Sequence, residues 1–211
     1  MYALNKFKFY LTMIVLIIGG ACLMVYGIKT SSSMSKDPID LNDPDVDWSD
    51  IEVGDHVEMD LPILLDCFAR YEKDGKDTQR YYCIPRYEED QLSITNFIGL
   101  EVKDQSLFGT YDSLVSDSWD WWQSADTSLP SGSSVHIDGV VRELPSEQLK
   151  FFEEYLRDDL ELSDDLVDDS QYKLYITPET SKGSTGLTIL GAVLLVAGLG
   201  ITGFSLTRRR G

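Results

Sequence analysis

Apolar residues are unevenly distributed along the chain, with one long uninterrupted run near each end. The runs cover residues 9–28 and 187–206, and each contains 20 residues without a charged side chain. About 20 apolar residues are what an α-helix needs to cross roughly 30 Å of hydrocarbon. A soluble helix of this length would carry a polar stripe, and neither run has one. The pattern therefore predicts two transmembrane helices that flank a central domain.

The central region begins with alternating apolar and polar side chains over residues 57–71. A two-residue period predicts a β-strand with one buried face, or two strands kinked at Pro62. The dipeptide Asp74-Gly75 predicts a tight hairpin, and a return strand follows over residues 80–87. The region thus begins as an antiparallel sheet.

Three further strands and two helices are predicted in the rest of this region. The strands cover residues 92–103, 133–144 and 171–177, and the helices cover residues 104–123 and 146–162. The apolar face of the first helix contains Leu107, Tyr111, Leu114 or Val115, and Trp122, and that of the second contains Leu149, Phe152, Leu156 and Leu160. The predicted fold is α+β: a small five-stranded, partly barrel-like sheet with two helices, similar to an OB-type barrel.

These elements divide the chain into seven predicted parts. They are a cytoplasmic N-terminus (1–8), a first transmembrane helix (9–28), an acidic linker (29–50), an extracytoplasmic α+β domain (51–178), a linker (179–186), a second transmembrane helix (187–206) and a basic tail (207–211). The first linker is assigned from its many Asp and Pro residues and its few apolar ones.

Charge is sorted around the two apolar runs. All 36 acidic residues lie between positions 37 and 179, and basic residues flank the runs. Because basic flanks stay in the cytoplasm, both ends obey this rule only if the acidic region is outside, although Lys29 and Lys36 weakly favour the reverse. The sequence predicts a multi-pass protein of the cell membrane, with both termini cytoplasmic and residues 29–186 outside. The flanking basic residues are Lys6, Lys8, Arg208, Arg209 and Arg210.

The two ends allow other interpretations. The first run could be a cleaved signal peptide, and Ile18 to Cys22 resembles the lipobox of bacterial lipoproteins, which would imply a lipid on Cys22. The sequence Thr177-Pro178-Glu179-Thr180-Ser181 before the second run resembles the sorting signal of sortase-anchored surface proteins. Pro178 and Thr180 match that motif, whereas Thr177 and Ser181 replace its Leu and Gly. A retained helical anchor is the prediction at both ends.

The sequence contains few residues suited to catalysis or metal binding. Its two histidines, His56 and His136, have no second His or Cys at ligand spacing, and the Asp-rich segments lack the spacing of a calcium loop. We therefore predict no metal and no cofactor. The excess of acidic residues would repel nucleic acids.

One short segment resembles a known enzyme class. Residues 31–38, directly after the first apolar run, resemble the serine box of type I signal peptidases, and this resemblance implies Ser33 as a nucleophile. The segment that supplies the basic Lys in those enzymes is missing, and a serine without an activating base is not a nucleophile.

Three tryptophans, Trp119, Trp121 and Trp122, form the most unusual local feature. Neighbouring residues on a helix point about 100° apart, so the three side chains cannot all be buried on one face. Exposed aromatic residues mark contact sites, and Trp is also enriched at membrane interfaces. One alternative is a packing arrangement with one buried Trp and two half-buried at the domain edge. The functional prediction is that this segment contacts a partner protein or the bilayer.

Taken together, the layout resembles that of small two-span membrane proteins of unknown function from Gram-positive bacteria. The predicted function is an integral membrane protein that presents an acidic extracytoplasmic domain for binding or assembly. Its partners would be another membrane or surface protein and the bilayer, through two helices. The alternatives are a membrane-tethered serine hydrolase of signal-peptidase type and a sortase-anchored surface protein.

The register of the predicted hairpin determines whether Cys67 and Cys83 can form a disulfide bond. If Lys73 pairs with Lys76 around Asp74-Gly75, Cys67 lies opposite Tyr82, and the thiols of Cys67 and Cys83 lie on opposite faces of the sheet. A one-residue shift would place the two thiols opposite each other. The two-residue turn favours the first register and free thiols.

Overall fold

The chain forms two compact units, each described by itself. The computed structural model describes residues 2–88, 93–124, 134–178 and 181–207. One unit contains helices α1 (Tyr2–Ser33) and α5 (Ser181–Thr207), and the other is a domain that spans Asp37–Pro178. Several predicted features lie outside the described residues, namely Leu92, Glu179, Thr180 and residues 208–210.

Helices α1 and α5 pack against each other with their backbones in contact. A Cβ atom added to Gly20 would lie 2.8 Å from the backbone nitrogen of Leu195, and one added to Gly191 would lie 2.8 Å from the carbonyl oxygen of Gly20. Farther along, Gly198 lies against Ile17, so the helices are antiparallel. Small residues permit this approach, as they do in other apolar helix pairs.

The prediction of two membrane-spanning helices is wrong. Among the described residues, one helix is long and apolar enough to cross a membrane, over Tyr10–Ser33. The described apolar stretch of α5 covers Thr185–Ile201, and it does not meet the same criterion. The predicted multi-pass arrangement, with both termini cytoplasmic and residues 29–186 outside, is therefore contradicted.

The domain is built on one open, mixed sheet of seven strands. Its order is β1-β2-β6-β7-β5-β4-β3, with β1/β2 and β5/β7 parallel and the other pairs antiparallel. The strands are β1 (Ile39–Asp40), β2 (His56–Leu61), β3 (Cys67–Lys73), β4 (Lys76–Glu88), β5 (Ser93–Val102), β6 (Val135–Glu143) and β7 (Leu174–Pro178). The helices are α2 (Phe108–Trp122), α3 (Ser146–Glu154) and α4 (Asp164–Asp168), with one-turn helices at Trp48–Asp50 and Gln105–Leu107 and a π-turn at Tyr155–Asp159.

The predicted five-stranded, barrel-like sheet with two helices is therefore wrong. The alternation over residues 57–71 belongs to two strands, of which β2 pairs with β6 and β3 pairs with β4 at one edge. The sheet does not close, because β1 and β3 are its edges. Strand β1 has two residues and α4 has five, too few for either to show a period in the sequence.

Two hydrophobic cores lie on opposite faces of the sheet. The first is closed by α2 and by Trp48, and the second by α3 and the π-turn. Because the cores share the central strands, those strands are buried on both faces. Members of the first core include Val57, Leu61, Tyr82, Ile84, Ile98, Leu100, Tyr111, Leu114, Ile137 and Ile176. Members of the second include Tyr81, Cys83, Phe97, Phe152, Tyr155, Leu156 and Tyr175.

Helix α2 buries a different set of residues from the predicted one. Its buried residues are Phe108, Tyr111, Leu114 and Ser118. Leu107, which was expected on this face, belongs to the preceding one-turn helix, and Trp122 is the last helical residue. Both are exposed, Leu107 by 41% and Trp122 by 50%.

The compact domain begins at Asp37, within the segment that composition assigned to a linker. Trp48 is only 1% exposed and packs in the first core. Its ring nitrogen donates to the carbonyl oxygen of Leu41, at 3.4 Å. The Asp residues of this segment act locally, since Asp47 accepts the backbone N–H of Ser49 at the start of a one-turn helix. One buried aromatic ring thus ties a polar segment to the domain.

The hairpin has the predicted register. Asp74 and Gly75 both have positive φ, 54° and 75°, as a type I′ turn requires. Lys73 pairs with Lys76, and Cys67 pairs with Tyr82. Two compensating register shifts lie between these pairs. The cysteine thiols of the two strands are free.

We expect Cys83 to resist alkylation until the domain unfolds. Its side chain is fully buried, and this burial raises the pKa of the Cys83 thiol well above its usual range, as burial also raises the pKa of Cys67. Because the thiolate is the reactive form, iodoacetamide at pH 8 should modify Cys83 only in denaturant. Mass spectrometry of the unreduced protein checks this, and a disulfide-linked Cys67–Cys83 peptide pair would contradict the register.

Replacing Gly191 with Leu should separate α1 from α5. An added Cβ at Gly191 would already lie 2.5 Å from the backbone nitrogen of Met24, and such overpacking costs about 1–3 kcal/mol. The matched control is Gly200→Leu, since a Cβ at Gly200 meets nothing within 4 Å. The measurement is thermal unfolding of the full-length protein in detergent, followed by circular dichroism. Equal melting temperatures for the two variants would contradict the observed packing.

Candidate interaction surface

A shallow cavity lies at the carboxyl ends of β5 and β7. Its volume is about 230 Å³, which is smaller than the roughly 300–1,000 Å³ typical of small-molecule sites. Its lining is mostly apolar, with Glu101 the most deeply buried polar member. The lining residues are Glu101, Val102, Lys103, Asp104, Leu107, Tyr111, Thr177 and Pro178.

The Glu101 carboxylate is the hub of a buried hydrogen-bond network. Its side chain is 3% exposed, and each of its oxygens accepts two hydrogen bonds. Oε1 accepts from Gln79 Nε2 at 2.5 Å and from the Tyr81 hydroxyl at 3.1 Å. Oε2 accepts from Lys103 Nζ at 2.8 Å and from Thr177 Oγ1 at 3.0 Å. Four donors satisfy this carboxylate, so we assign it a structural role.

The network also affects Tyr81. Burial, and then the nearby Glu101 carboxylate, raise the pKa of the Tyr81 hydroxyl far above its usual range. The hydroxyl therefore remains protonated and can donate to Glu101. The sequence did not identify this network, because Gln79, Tyr81 and Thr177 belong to β4 and β7 and reach Glu101 only through the pairing of those strands with β5.

His56 of β2 and His136 of β6 each lie beside an aspartate of the neighbouring strand. His56 is buried, and its Nε2 lies 2.6 Å from Asp138 Oδ1. His136 is exposed, and its Nδ1 lies 3.0 Å from Asp60 Oδ1. Among the described residues, no group of three His, Cys, Asp or Glu side chains is arranged to hold a metal ion. The two pairs link neighbouring strands.

Arg80 fixes the beginning of α2. Its guanidinium donates to both oxygens of Asp112, at 2.8 and 2.7 Å, and to Asp77 at 2.8 Å. The guanidinium also lies over the Phe108 ring, 4.5 Å from its centroid. A hydrogen bond to the Tyr82 hydroxyl, and then those to the two carboxylates, raise the pKa of Arg80, so the side chain stays charged. The first turns of α2 are thereby attached to β4.

The middle of α2 is fixed by the segment that follows β2. The hydroxyl of Ser118 accepts the backbone N–H of Leu64 at 2.9 Å. Trp119 Nε1 donates to Asp66 Oδ1 at 3.3 Å, and the Trp119 ring packs on the second core. Of the three tryptophans singled out in the sequence, Trp119 is therefore a packing residue.

Trp121 and Trp122 form an aromatic cluster with Tyr87 at the end of α2. The Tyr87 and Trp121 rings meet edge to face, with centroids 5.4 Å apart and planes at 89°. The Trp121 and Trp122 rings are 5.9 Å apart at 69°. Trp122 is half exposed, and Tyr87 and Trp121 are partly buried. We call these three residues the aromatic corner; the sequence had indicated both tryptophans but not Tyr87.

The aromatic corner is far from the points at which the chain enters and leaves the domain. Ile39 pairs with Val57, Val57 with Gly139, and Gly139 with Pro178. These pairings place Ile39, near the start of the domain, and Pro178, at its end, in one row of paired residues across the sheet. Three strand spacings separate the two residues, about 14 Å.

Strand β5 gives the distance from this row to the corner. Leu100 pairs with Ile176, two residues before the end of β7, so Val102 is level with the end of β7. Tyr87 pairs with Ile94, eight residues earlier on β5. At about 3.3 Å per residue, the corner lies roughly 25 Å from the connecting row.

The described charged side chains on the last turns of α2 are negative. Asp117 and Asp120 are exposed on the last turns of α2, and the last turn has no basic residue. A helix carboxyl end also carries a partial negative charge. The acidic segment that includes α4 is different, because Arg157 bonds to Glu153, Asp164 and Asp168 there.

Ser33 lies at the end of helix α1, and Thr177 and Pro178, from the sequence that resembles a sorting signal, lie in strand β7. Ser33 is the last residue of α1, and its carbonyl oxygen accepts the N–H of Lys36. Thr177 is 5% exposed and pairs with Val140 inside the sheet, and Pro178 ends β7. The first two residues of the motif thus belong to the folded domain.

A family model covers almost the whole chain. The family described as Domain of unknown function (DUF8577) matches residues 4–206, and the chain belongs to this family. No curated protein and no solved structure matches the chain.

Replacing Glu101 with Gln should destabilise the domain by about 2–4 kcal/mol, the scale for breaking a buried charged network. The new amide nitrogen would face donors such as Lys103 Nζ and Thr177 Oγ1. The matched control is Glu154→Gln, an exposed residue on α3 that should change stability by less than about 0.5 kcal/mol. Urea unfolding of the full-length protein measures both, and equal stabilities would contradict the structural role.

Proposed function

We propose that the protein is an integral membrane protein that presents its acidic domain for binding or assembly with a partner protein, through the aromatic corner of Tyr87, Trp121 and Trp122. Helix α1 provides the membrane attachment, because its apolar part over Tyr10–Ser33 has the necessary length. The observation that carries the proposal is the half-exposed Trp122 ring at the end of a rigidly held helix.

The support for a protein contact is energetic. Trp and Tyr supply large rigid surfaces at low entropic cost and are enriched in binding hot spots, where truncation costs about 2 kcal/mol or more. The beginning and middle of α2 are fixed by Arg80 and by residues 64–66. The corner is therefore largely pre-organised, which lowers the cost of binding.

Two observations disfavour alternative uses of the chain. A sorting enzyme needs an accessible, extended substrate, whereas Thr177 is buried in β7. The exposed Asp117 and Asp120 near the corner would repel anionic lipid headgroups. Contact with a partner therefore accounts for the corner better than contact with lipid.

The proposal is tested by photo-crosslinking in cells that make the protein. A benzoylphenylalanine at position 122 should capture a specific protein, and Trp121→Ala should reduce that product, since Trp121 packs against Trp122. The control is the same probe at position 151, where Phe151 is exposed to a similar degree on α3. Capture of lipid alone at position 122, or equal protein capture at both positions, would contradict the proposal.

A further inference from the structure

The aromatic corner has the chemistry of a cation-binding surface. We infer that it recognises a cationic segment, with exposed Arg or Lys side chains, of the partner protein. This inference rests on the proposed function, because it assigns a chemical class to the partner of the same surface. The corner offers three features that favour a cation: ring faces, carboxylates and a helix carboxyl end.

The rings are arranged so that their faces point in different directions. The Tyr87 and Trp121 planes are perpendicular within 1°, and the Trp121 and Trp122 planes are inclined by 69°. The face of an aromatic ring carries negative potential, and Trp attracts cations most strongly. The half-exposed Trp122 ring therefore offers a surface that a guanidinium or ammonium group can reach from solvent.

The electrostatic environment of the rings adds to this preference. On a helix, residues four apart are neighbours, so Asp117 lies beside Trp121, and Asp120 adds a second exposed carboxylate to the last turns of α2. The carbonyl groups of the last turn point toward the same end, and one of them, from Trp121, accepts both the N–H and the hydroxyl of Ser124. An anionic partner would be repelled by the same groups.

The domain also carries arginine–aromatic pairs of the kind proposed for the partner. Arg80 lies 4.5 Å from the centroid of Phe108, and Arg86 lies 5.9 Å from that of Trp48. The excess of acidic residues across the domain would speed the approach of a basic segment at low ionic strength. The rings would then supply the short-range selectivity that net charge lacks.

Peptide binding to the full-length protein in neutral detergent tests this inference. The probes are three fluorescent heptapeptides, Gly-Arg-Gly-Arg-Gly-Arg-Gly and its counterparts with Gln or Glu in place of Arg. We expect the Arg peptide to bind most tightly and Trp122→Leu to weaken it about fivefold, as loss of a cation–π contact predicts. Phe151→Leu should leave binding unchanged, because Phe151 is an exposed aromatic residue outside the corner.

Charge variants and salt separate the ring contribution from net charge. Asp117→Asn should weaken binding more than Asp165→Asn, which removes the same charge from the exposed surface of α4. In 1 M salt, where the Debye length is about 3 Å, the Trp122→Leu effect should persist while the effect of Asp117→Asn should shrink. Loss of the Trp122→Leu effect in 1 M salt would overturn the inference.

The remaining outcomes are also decisive. Undetectable binding of the Arg peptide, or binding that is insensitive to Trp122→Leu, would overturn the inference. Tighter Trp122-dependent binding of the Gln peptide would overturn the cationic assignment and leave the contact surface intact. The proposed function fails separately, if the crosslinking probe at position 122 captures no protein.

Discussion

The short parallel pairing between β5 and β7 is the constraint on which the domain depends. The sheet consists of two parts, β1-β2-β6-β7 and β5-β4-β3, and only this seam joins them within the sheet. The backbone register of the seam contains two pairs, Gly99 with Tyr175 and Leu100 with Ile176. In the next row, Thr177 donates to Glu101, and Glu101 also accepts from Gln79 and Tyr81 of β4. One buried carboxylate thus extends the seam across three strands.

The two cores reinforce this seam from both sides and determine where α2 lies. The first core contains Leu100 and Ile176, and the second contains Tyr175. Helix α2 closes the first core with Tyr111 and Leu114, and its Trp119 packs on the second. Because both cores and the Arg80 network fix the helix, its last turn is presented in a defined position. The exposed aromatic corner is a consequence of how the two cores are closed.

Local patterns in the sequence predicted the parts of this fold that depend on near neighbours. Alternation located the main strands, and Asp74-Gly75 predicted both the hairpin and the pairing of Cys67 with Tyr82, since turn geometry sets the register. The same reasoning left open whether residues 57–71 form one strand or two strands kinked at Pro62, because the period continues across Pro62; the structure has two strands, which pair at different places. Strand β1 escaped prediction because two residues carry no periodic signal.

Features that depend on distant residues could not be predicted in this way. The four donors to Glu101 are up to 76 residues away, and Arg80 and Asp112 are 32 residues apart. For the tryptophans, the sequence predicted that three neighbours cannot share one face, and the structure separates Trp119 from Trp121 and Trp122. No local pattern in the sequence links Tyr87 to the two tryptophans, because Tyr87 belongs to the end of β4 and the tryptophans belong to α2.

Helix α5 shows the limit of hydropathy as a guide to function. Its composition predicted a second membrane span, but among the described residues only Tyr10–Ser33 of α1 is long and apolar enough to cross a membrane. Packing offers a separate explanation for its glycines, since Gly191 and Gly198 lie against α1. The apolar character of α5 therefore reflects, at least in part, its contact with α1.

Amide hydrogen exchange of the full-length protein, followed by mass spectrometry, tests the central claim that the seam makes the domain one cooperative unit. Core amides of β6, in one part of the sheet, and of β4, in the other, should exchange through the same global opening, with equal free energies that fall together in urea. If β6 exchanged through a separate opening of lower free energy while β4 stayed protected, the seam would not join the two parts, and the account would be contradicted.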